Sequence, residues 1–384
     1  MGKRIFVLGG AGNLGSECAK DLLFSDEVEE VAIGDFDVDK ARVLAKELND
    51  KRVKFVETDV TDEDEAARKV EGYDVLMNCT FFGLFSHALD VAIKAHVDYA
   101  DLTSEPNEKQ RRAVKEAGIT AVAGIGLIPG LGNILARDAA DSVDETEAIE
   151  ISWIALRTVA PSPGLLETVF WYLSPECKKR QHYVSGRFME TGPFEGSKIV
   201  RFPEPVGEQV VYFGPDSGNV TLPKHIQGVK YVAVRGGWRQ KIMEDFMVLN
   251  KYGLMDNVEV NYKGAGVNVC DFVKEAVWRK LGGRVDYDCA ANFLKVEVTG
   301  RRGEKYLKRT YNVTHPLEWG DRATAKMSGI PASVGAILLA RHRRKITGIV
   351  DPEQFYDPKE FLRELDKRGT IKVEWVEEVI EEVK

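Results

Sequence analysis

Cysteine and histidine are scarce: 384 residues carry five Cys and six His. Cys18, Cys79, Cys177, Cys270 and Cys289 form no CxxC pair, and an odd number leaves no complete disulfide framework. That usage fits a reduced, cytoplasmic protein. The histidines form no HxxxH or HxH cluster, so no structural or catalytic metal is expected. No apolar run reaches the ~18 residues of a membrane span. No signal peptide precedes the first strand pattern, so export is not expected. Basic residues are outnumbered, 53 against 61 acidic, for a net charge of -8 and a pI near 5.5. Nucleic acid needs a dense basic surface, so it is not expected as a partner. Internal repeats and low-complexity stretches are absent.

What the chain does have begins at once. The apolar run Ile5-Phe6-Val7-Leu8 leads into Gly10-x-Gly12-x-x-Gly15, and a helix-forming segment follows. Strand, glycine turn and helix in that order make a weak motif a dinucleotide-binding one. Gly10 allows the tight turn, Gly12 lets backbone approach a pyrophosphate, and Gly15 lets helix pack against strand. The first-turn amides of Asn13, Leu14 and Gly15 then face the pyrophosphate, where the helix dipole favours negative charge. A second strand, Val31–Gly34, ends in Asp35, 20 residues after Gly15. A carboxylate there accepts the adenosine ribose hydroxyls and repels a 2′-phosphate. Phe36 and Asp37 follow where an NADP site often places Arg or Ser, so NAD is favoured over NADP. The bland alternative is a glycine turn whose nucleotide site is unused.

Strand and helix patterns alternate to about residue 125, which predicts an α/β fold with a doubly wound parallel sheet. Ligands sit at the C-terminal ends of such strands. Asp59-Val60 follows the third strand and is placed for adenine, or for a helix N-cap. Cys79 and Thr80 follow the fourth, bordering ribose and nicotinamide; Cys79 is equally a small buried filler. Asp101 and Glu105 follow the fifth. The sixth leads into Gly124–Asn133, rich in glycine, read as a backbone passing close to a ligand and a domain crossing. From about 131 to 325 strands predominate, with a hairpin across Gly300–Gly303, giving an α+β domain with an open, mostly antiparallel sheet. Residues 326–384 read as C-terminal helices returning to the first domain, residues 1–130.

Several motifs, taken in order, resemble the saccharopine dehydrogenase family in its short form, which includes L-lysine 6-dehydrogenase. They are Gly10-x-Gly12-x-x-Gly15, Tyr99-Ala100-Asp101-Leu102-Thr103, Gly126–Asn133, Val220-Thr221-Leu222-Pro223, Arg235-Gly236-Gly237-Trp238, Gly329–Ser333 and Gly348–Glu353. The resemblance implies a Rossmann domain, an inserted catalytic and dimerisation domain, and a homodimer. It also implies reversible oxidation of a C–N bond on a lysine-derived or polyamine-derived amino acid. Oxidative deamination of a lysine-type substrate is the expectation. Alternatives are a saccharopine dehydrogenase or reductase, a homospermidine-synthase-like enzyme holding NAD as a prosthetic group, and a non-catalytic nucleotide sensor. Such chemistry needs a carboxylate to accept the ammonium proton, first Asp101 and then Glu105. The substrate carboxylate needs a cation, for which Arg157 and Arg235 are the candidates. Trp238 would wall the aliphatic stem. The plain alternative for either arginine is an ion pair.

Overall fold

A computed structural model describes residues 2–103, 105–177, 180–284 and 290–382; Ser104 and Cys289 lie outside the described residues. The chain divides into two compact units, one of residues 1–135 and 324–371, the other of residues 136–323 and 372–384.

The first unit alternates strictly. Its strands are β1 (Lys3–Leu8), β2 (Val28–Asp35), β3 (Val53–Glu57), β4 (Val75–Asn78), β5 (Asp98–Asp101) and β6 (Thr120–Val122). Between them run α1 (Asn13–Leu22), α2 (Val38–Leu48), α3 (Glu63–Val70), α4 (Phe85–Ala95) and α5 (Glu108–Glu116). All strand pairings are parallel and the order is β6-β5-β4-β1-β2-β3. β1 is central and covered on both faces, which is why Ile5-Phe6-Val7-Leu8 is continuously apolar and no more than 2% exposed. Asp37, Asp62 and Asn107 cap α2, α3 and α5 by accepting the backbone N–H of the third residue of each helix. α1 and α4 have no side-chain cap; the N-cap of α1 is Gly12, which offers no side-chain acceptor.

The second unit starts within α6 (Leu131–Ala140) and continues with β7 (Glu145–Leu156), α7 (Pro163–Leu173), β8 (Gln181–Val184), β9 (Arg187–Glu190), β10 (Lys198–Arg201) and β11 (Glu208–Phe213). Then come α8 (Gly218–His225), β12 (Tyr231–Trp238), α9 (Gln240–Lys251), the small hairpin β13 (Glu259–Tyr262) and β14 (Ala265–Asn268), and α10 (Val269–Leu281). The long hairpin β15 (Ala291–Arg302) and β16 (Lys305–Thr314) follows, its turn at Gly303-Glu304 tighter than expected. The large sheet runs β10-β11-β12-β7-β15-β16, with β8 also on β12 and β9 on β8. Only β7 and β12 pair in parallel. Their C-terminal ends therefore lie together, beside the start of β15: Ala155 pairs with Trp238 on one side and Asn292 on the other.

The tail departs from the expectation of returning helices alone. α11 (Ala323–Arg341), α12 (Pro352–Phe355) and α13 (Pro358–Asp366) are helical, but β17 (Gly348–Val350) adds a seventh parallel strand beside β6. The last segment, β18 (Lys372–Glu382), belongs to the second sheet, antiparallel to β16 over its whole length. Val373, Val376, Val379 and Ile380 favour a strand. Its glutamates meet the cations of β16: Glu377 pairs with Arg309 at 2.8 Å. The stretch Leu317–Arg341 is long and apolar enough to cross a membrane, and 83% of its apolar window is buried within the protein. Small residues explain its place inside: a Cβ on Gly329 would lie 2.9 Å from the Leu14 carbonyl oxygen of α1.

Candidate functional site

The glycine loop of the first unit is held from two sides. Gly9 adopts φ +70°, a left-handed conformation, and Gly12 N–H donates to Gly9 O at 3.0 Å. A Cβ on Gly15 would lie 2.2 Å from Gly9 O, so only glycine lets α1 approach the loop this closely. Asp35, 7% exposed, accepts from Ala11 N–H through Oδ2 and from Asp37 N–H through Oδ1, both at 3.0 Å. The acid at the end of β2 thus clamps the loop. Each oxygen keeps a second lone-pair direction for a ribose hydroxyl. α1 has no side-chain cap and no acid in its first turn. The amides of Asn13, Leu14 and Gly15 thus sit at an uncapped, positive helix end. A Cβ on Gly12 would meet only Gly9 O within 4 Å, so the loop is otherwise open there. These features fit a dinucleotide pyrophosphate.

The other strand ends are placed differently from one another. Asp59 is exposed and accepts from Thr61 N–H and Oγ1, at 2.9 and 2.7 Å, which holds its carboxyl below the usual range. Val60 is packed into the hydrophobic core beside Leu8 and Ala66. Cys79 is buried, its N–H on Leu8 O; Cys79 beside it and burial push the Cys18 thiol of α1 up. Thr80 donates through N–H and Oγ1 to Asn78 Oδ1, at 3.1 and 2.7 Å. Asn78 Nδ2 in turn donates to Tyr99 Oη at 3.0 Å; burial and the charge of Asp101 push the Tyr99 hydroxyl well up. Asp101 itself is wholly buried and accepts Gly124 N–H at 2.9 Å. That carboxylate anchors the loop after β6. Glu105 is exposed.

In the second unit two predicted residues come together and one does not. Arg157 directly follows β7 and Trp238 ends β12; the guanidinium carbon lies 5.9 Å from the Trp238 ring centre. Arg157 is 5% exposed. Nη1 donates to Thr158 O at 2.7 Å, while Nε has no acceptor among the described residues. No carboxylate faces it there, and burial alone pulls its pKa down to about 10. Trp238 Nε1 likewise lacks an acceptor among the described residues. Two buried N–H donors thus await an acceptor at the same sheet end. Arg235 is a correction. It lies inside β12 rather than at its end, and its donors are spent on Glu150 Oε2 (2.8 Å), Tyr231 Oη (2.8 Å) and Gly196 O (3.0 Å). Its planar group also stacks over Phe213, 4.3 Å from the ring centre. It is a cross-strand ion pair.

Residues 5–122 match the profile described as the saccharopine dehydrogenase NADP binding domain, and residues 126–371 the saccharopine dehydrogenase C-terminal domain. The chain belongs to the saccharopine dehydrogenase family. It is an NAD(P)-dependent oxidoreductase. Carboxyaminopropylagmatine dehydrogenase of Synechocystis sp. is 22% identical over 389 aligned positions, covering 94% of each chain. The fold is shared with saccharopine dehydrogenase (L-Glu forming) of Saccharomyces cerevisiae, at TM-score 0.72 and 17% identity, over 98% of this chain and 100% of that one. It is shared also with homospermidine synthase of Legionella pneumophila in complex with NAD, at TM-score 0.61 and 14% identity, over 98% and 91%.

For a saccharopine dehydrogenase family member, sequence reasoning missed one polar cluster in the second unit. Trp153, Tyr172 and Trp238 lie mutually edge-to-face, with ring centres 5.1–5.3 Å apart. Tyr172 Oη donates to Asp216 Oδ2 at 2.9 Å. Asp216 sits in Gly214-Pro215-Asp216-Ser217, which reads from the sequence only as a turn. The available signal was glycine: a Cβ on Gly214 would lie 1.7 Å from Tyr172 Oη, and one on Gly236 would lie 1.9 Å from the Trp153 ring.

Proposed function

We propose that this protein is an NAD-dependent dehydrogenase of a C–N bond in a carboxylate-bearing aliphatic amine, with a lysine-type amino acid as the first candidate. The observation that carries this reading is Arg157: a buried guanidinium with no carboxylate partner among the described residues, next to an unmatched indole N–H. A buried charge without a partner is costly, and a ligand carboxylate removes that cost. Arg157 then fixes the substrate by its acid end, and the Trp238 ring packs against the stem.

An alkylammonium has no lone pair to drive loss of hydride, so a proton must leave first. Glu105, exposed after β5, is assigned that proton; Asp101 is buried and already accepts Gly124 N–H. Bound nicotinamide supplies the hydride acceptor. For a primary amine the balance is amine, NAD and water giving aldehyde, ammonia, NADH and a proton. Asp35 supports NAD over NADP, since its carboxylate repels a 2′-phosphate. The family resemblance further suggests a homodimer, which sedimentation would test.

A second reading is favoured by the Synechocystis relative, whose name denotes a carboxylated polyamine as substrate. NADH formation with NAD, or NADP in parallel, on L-lysine, saccharopine, ornithine and a carboxyalkylated polyamine separates the two. Turnover of L-lysine with ammonia release supports the first reading, and turnover of the polyamine alone supports the second. No net NADH, with NAD carried through purification, would point to internal hydride cycling as in a synthase. Absence of turnover on every carboxylated amine would sink the dehydrogenase reading.

A further inference from the structure

The substrate reading accounts for Arg157 but leaves a carboxylate in the same unit unexplained. Asp216 is half-buried, so part of its surface stays open to solvent. Its Oδ2 accepts the Tyr172 hydroxyl, and Tyr172 lies edge-to-face with Trp153 and Trp238, each 5.3 Å away. Arg180 attracts it from a distance and forms no ion pair with it among the described residues; its Nη2 is bonded to Tyr172 O. Two glycines, Gly214 and Gly236, exist in a form that only the absence of a Cβ permits, and both make room for this cluster. A recessed carboxylate with one neutral side-chain donor, the Tyr172 hydroxyl, beside a cluster of three aromatic rings matches an organic cation, which it attracts by charge and by the ring quadrupoles.

We propose that Asp216, with Trp153, Tyr172 and Trp238, is a subsite for a cationic group of the substrate, an alkylammonium or guanidinium remote from the carboxylate. This deepens the reading in which Arg157 holds the carboxylate: the Trp238 ring lies 5.9 Å from the Arg157 guanidinium carbon and packs edge-to-face on Tyr172, the residue that bonds Asp216. The substrate class is then a carboxylated amine with a cationic distal end: the side-chain ammonium of L-lysine before its proton leaves, or a further ammonium or guanidinium on a longer amine.

The test is equilibrium binding of L-lysine, L-norleucine and agmatine to the coenzyme-free protein, in which no turnover occurs, read by calorimetry and by tryptophan fluorescence. L-Lysine and L-norleucine differ in the distal ammonium, and agmatine carries no carboxylate. In the wild type, L-lysine and agmatine bind about tenfold or more tighter than L-norleucine, and agmatine quenches tryptophan emission. Asp216→Asn erases the lysine advantage, leaves norleucine unchanged and abolishes agmatine binding; Asp216→Glu restores part of it. Burial pushes Asp216 up to about 6, with Tyr172 and Arg180 as the titratable groups around it, so agmatine affinity falls as pH drops through that value. Asp216→Asn melts no lower than the wild type at pH near 8, because it removes a desolvated charge and keeps the Tyr172 contact. An unchanged lysine-to-norleucine ratio, or a melting temperature several degrees lower in Asp216→Asn, overturns the subsite. So does a fall in kcat with affinity unchanged. Failure of the Arg157 reading looks different: agmatine still binds, while Arg157→Met leaves L-lysine and L-norleucine affinities untouched.

Discussion

The two units place their chemistry in different materials. In the first, the nucleotide cradle is backbone: glycine turns, uncapped amides at the start of α1, and one acid whose carboxylate holds the loop. In the second, the candidate substrate groups are side chains from separate segments, Arg157 after β7, Trp238 at the end of β12, and Asp216 after β11. A backbone site demands particular residues at short, regular spacing, because glycine is required where a Cβ would collide. A side-chain site demands only that distant strands end together. The first leaves a signature in a dozen consecutive residues; the second leaves none until register is known.

The contrast can be broken at its strongest point first. Gly15→Ala puts a Cβ against Gly9 O, with no flexible side chain to yield. We expect NAD binding to be lost and stability to fall by about 1–3 kcal/mol, measured by calorimetry and thermal melting. Retained NAD affinity would mean the loop is looser than its geometry. Arg157→Met comes next. It should raise the substrate KM about a hundredfold, the size of a lost charged hydrogen-bond pair, with NAD affinity unchanged. A loss confined to kcat would move Arg157 from substrate binding to some other step. Asp35→Ser should lower the preference for NAD over NADP about tenfold in kcat/KM, and equal losses with both coenzymes would remove the argument from β2.

Arg235→Leu is the smallest functional change and the control for Arg157. It breaks the Glu150 pair and the contact with Gly196 O, so it should cost about 2 kcal/mol of stability with KM within a factor of two. Two arginines of parallel neighbours, one just past the end of β7 and one inside β12, would then divide cleanly, one spent on substrate and one on the sheet. A KM effect as large as that of Arg157→Met would restore Arg235 to the site.

Much of the fold was legible. β3, β4, α2 and α3 fall where the period and caps put them, because Asp37 and Asp62 are strong N-caps directly before apolar-periodic runs. The tail was less legible. Lys372–Glu382 is acidic and was read with the helices, yet its partner β16 is basic, and pairing offsets the charge. Asp101 shows the limit within the site. A carboxylate at the C-terminal end of a Rossmann strand reads equally as a ligand contact or as an anchor. Its burial and the Gly124 N–H at 2.9 Å decide for the anchor.

By itself the sequence determined the nucleotide fold, its glycine loop, the acid at the end of β2 and the family. Each of these rests on local sterics or on periodic burial, which neighbouring residues encode. Only the tertiary structure decided which arginine lacks a carboxylate partner among the described residues, that β18 closes the second sheet, and that Asp216 meets Tyr172. Those outcomes depend on strand register, and one residue of slip turns every side chain to the opposite face.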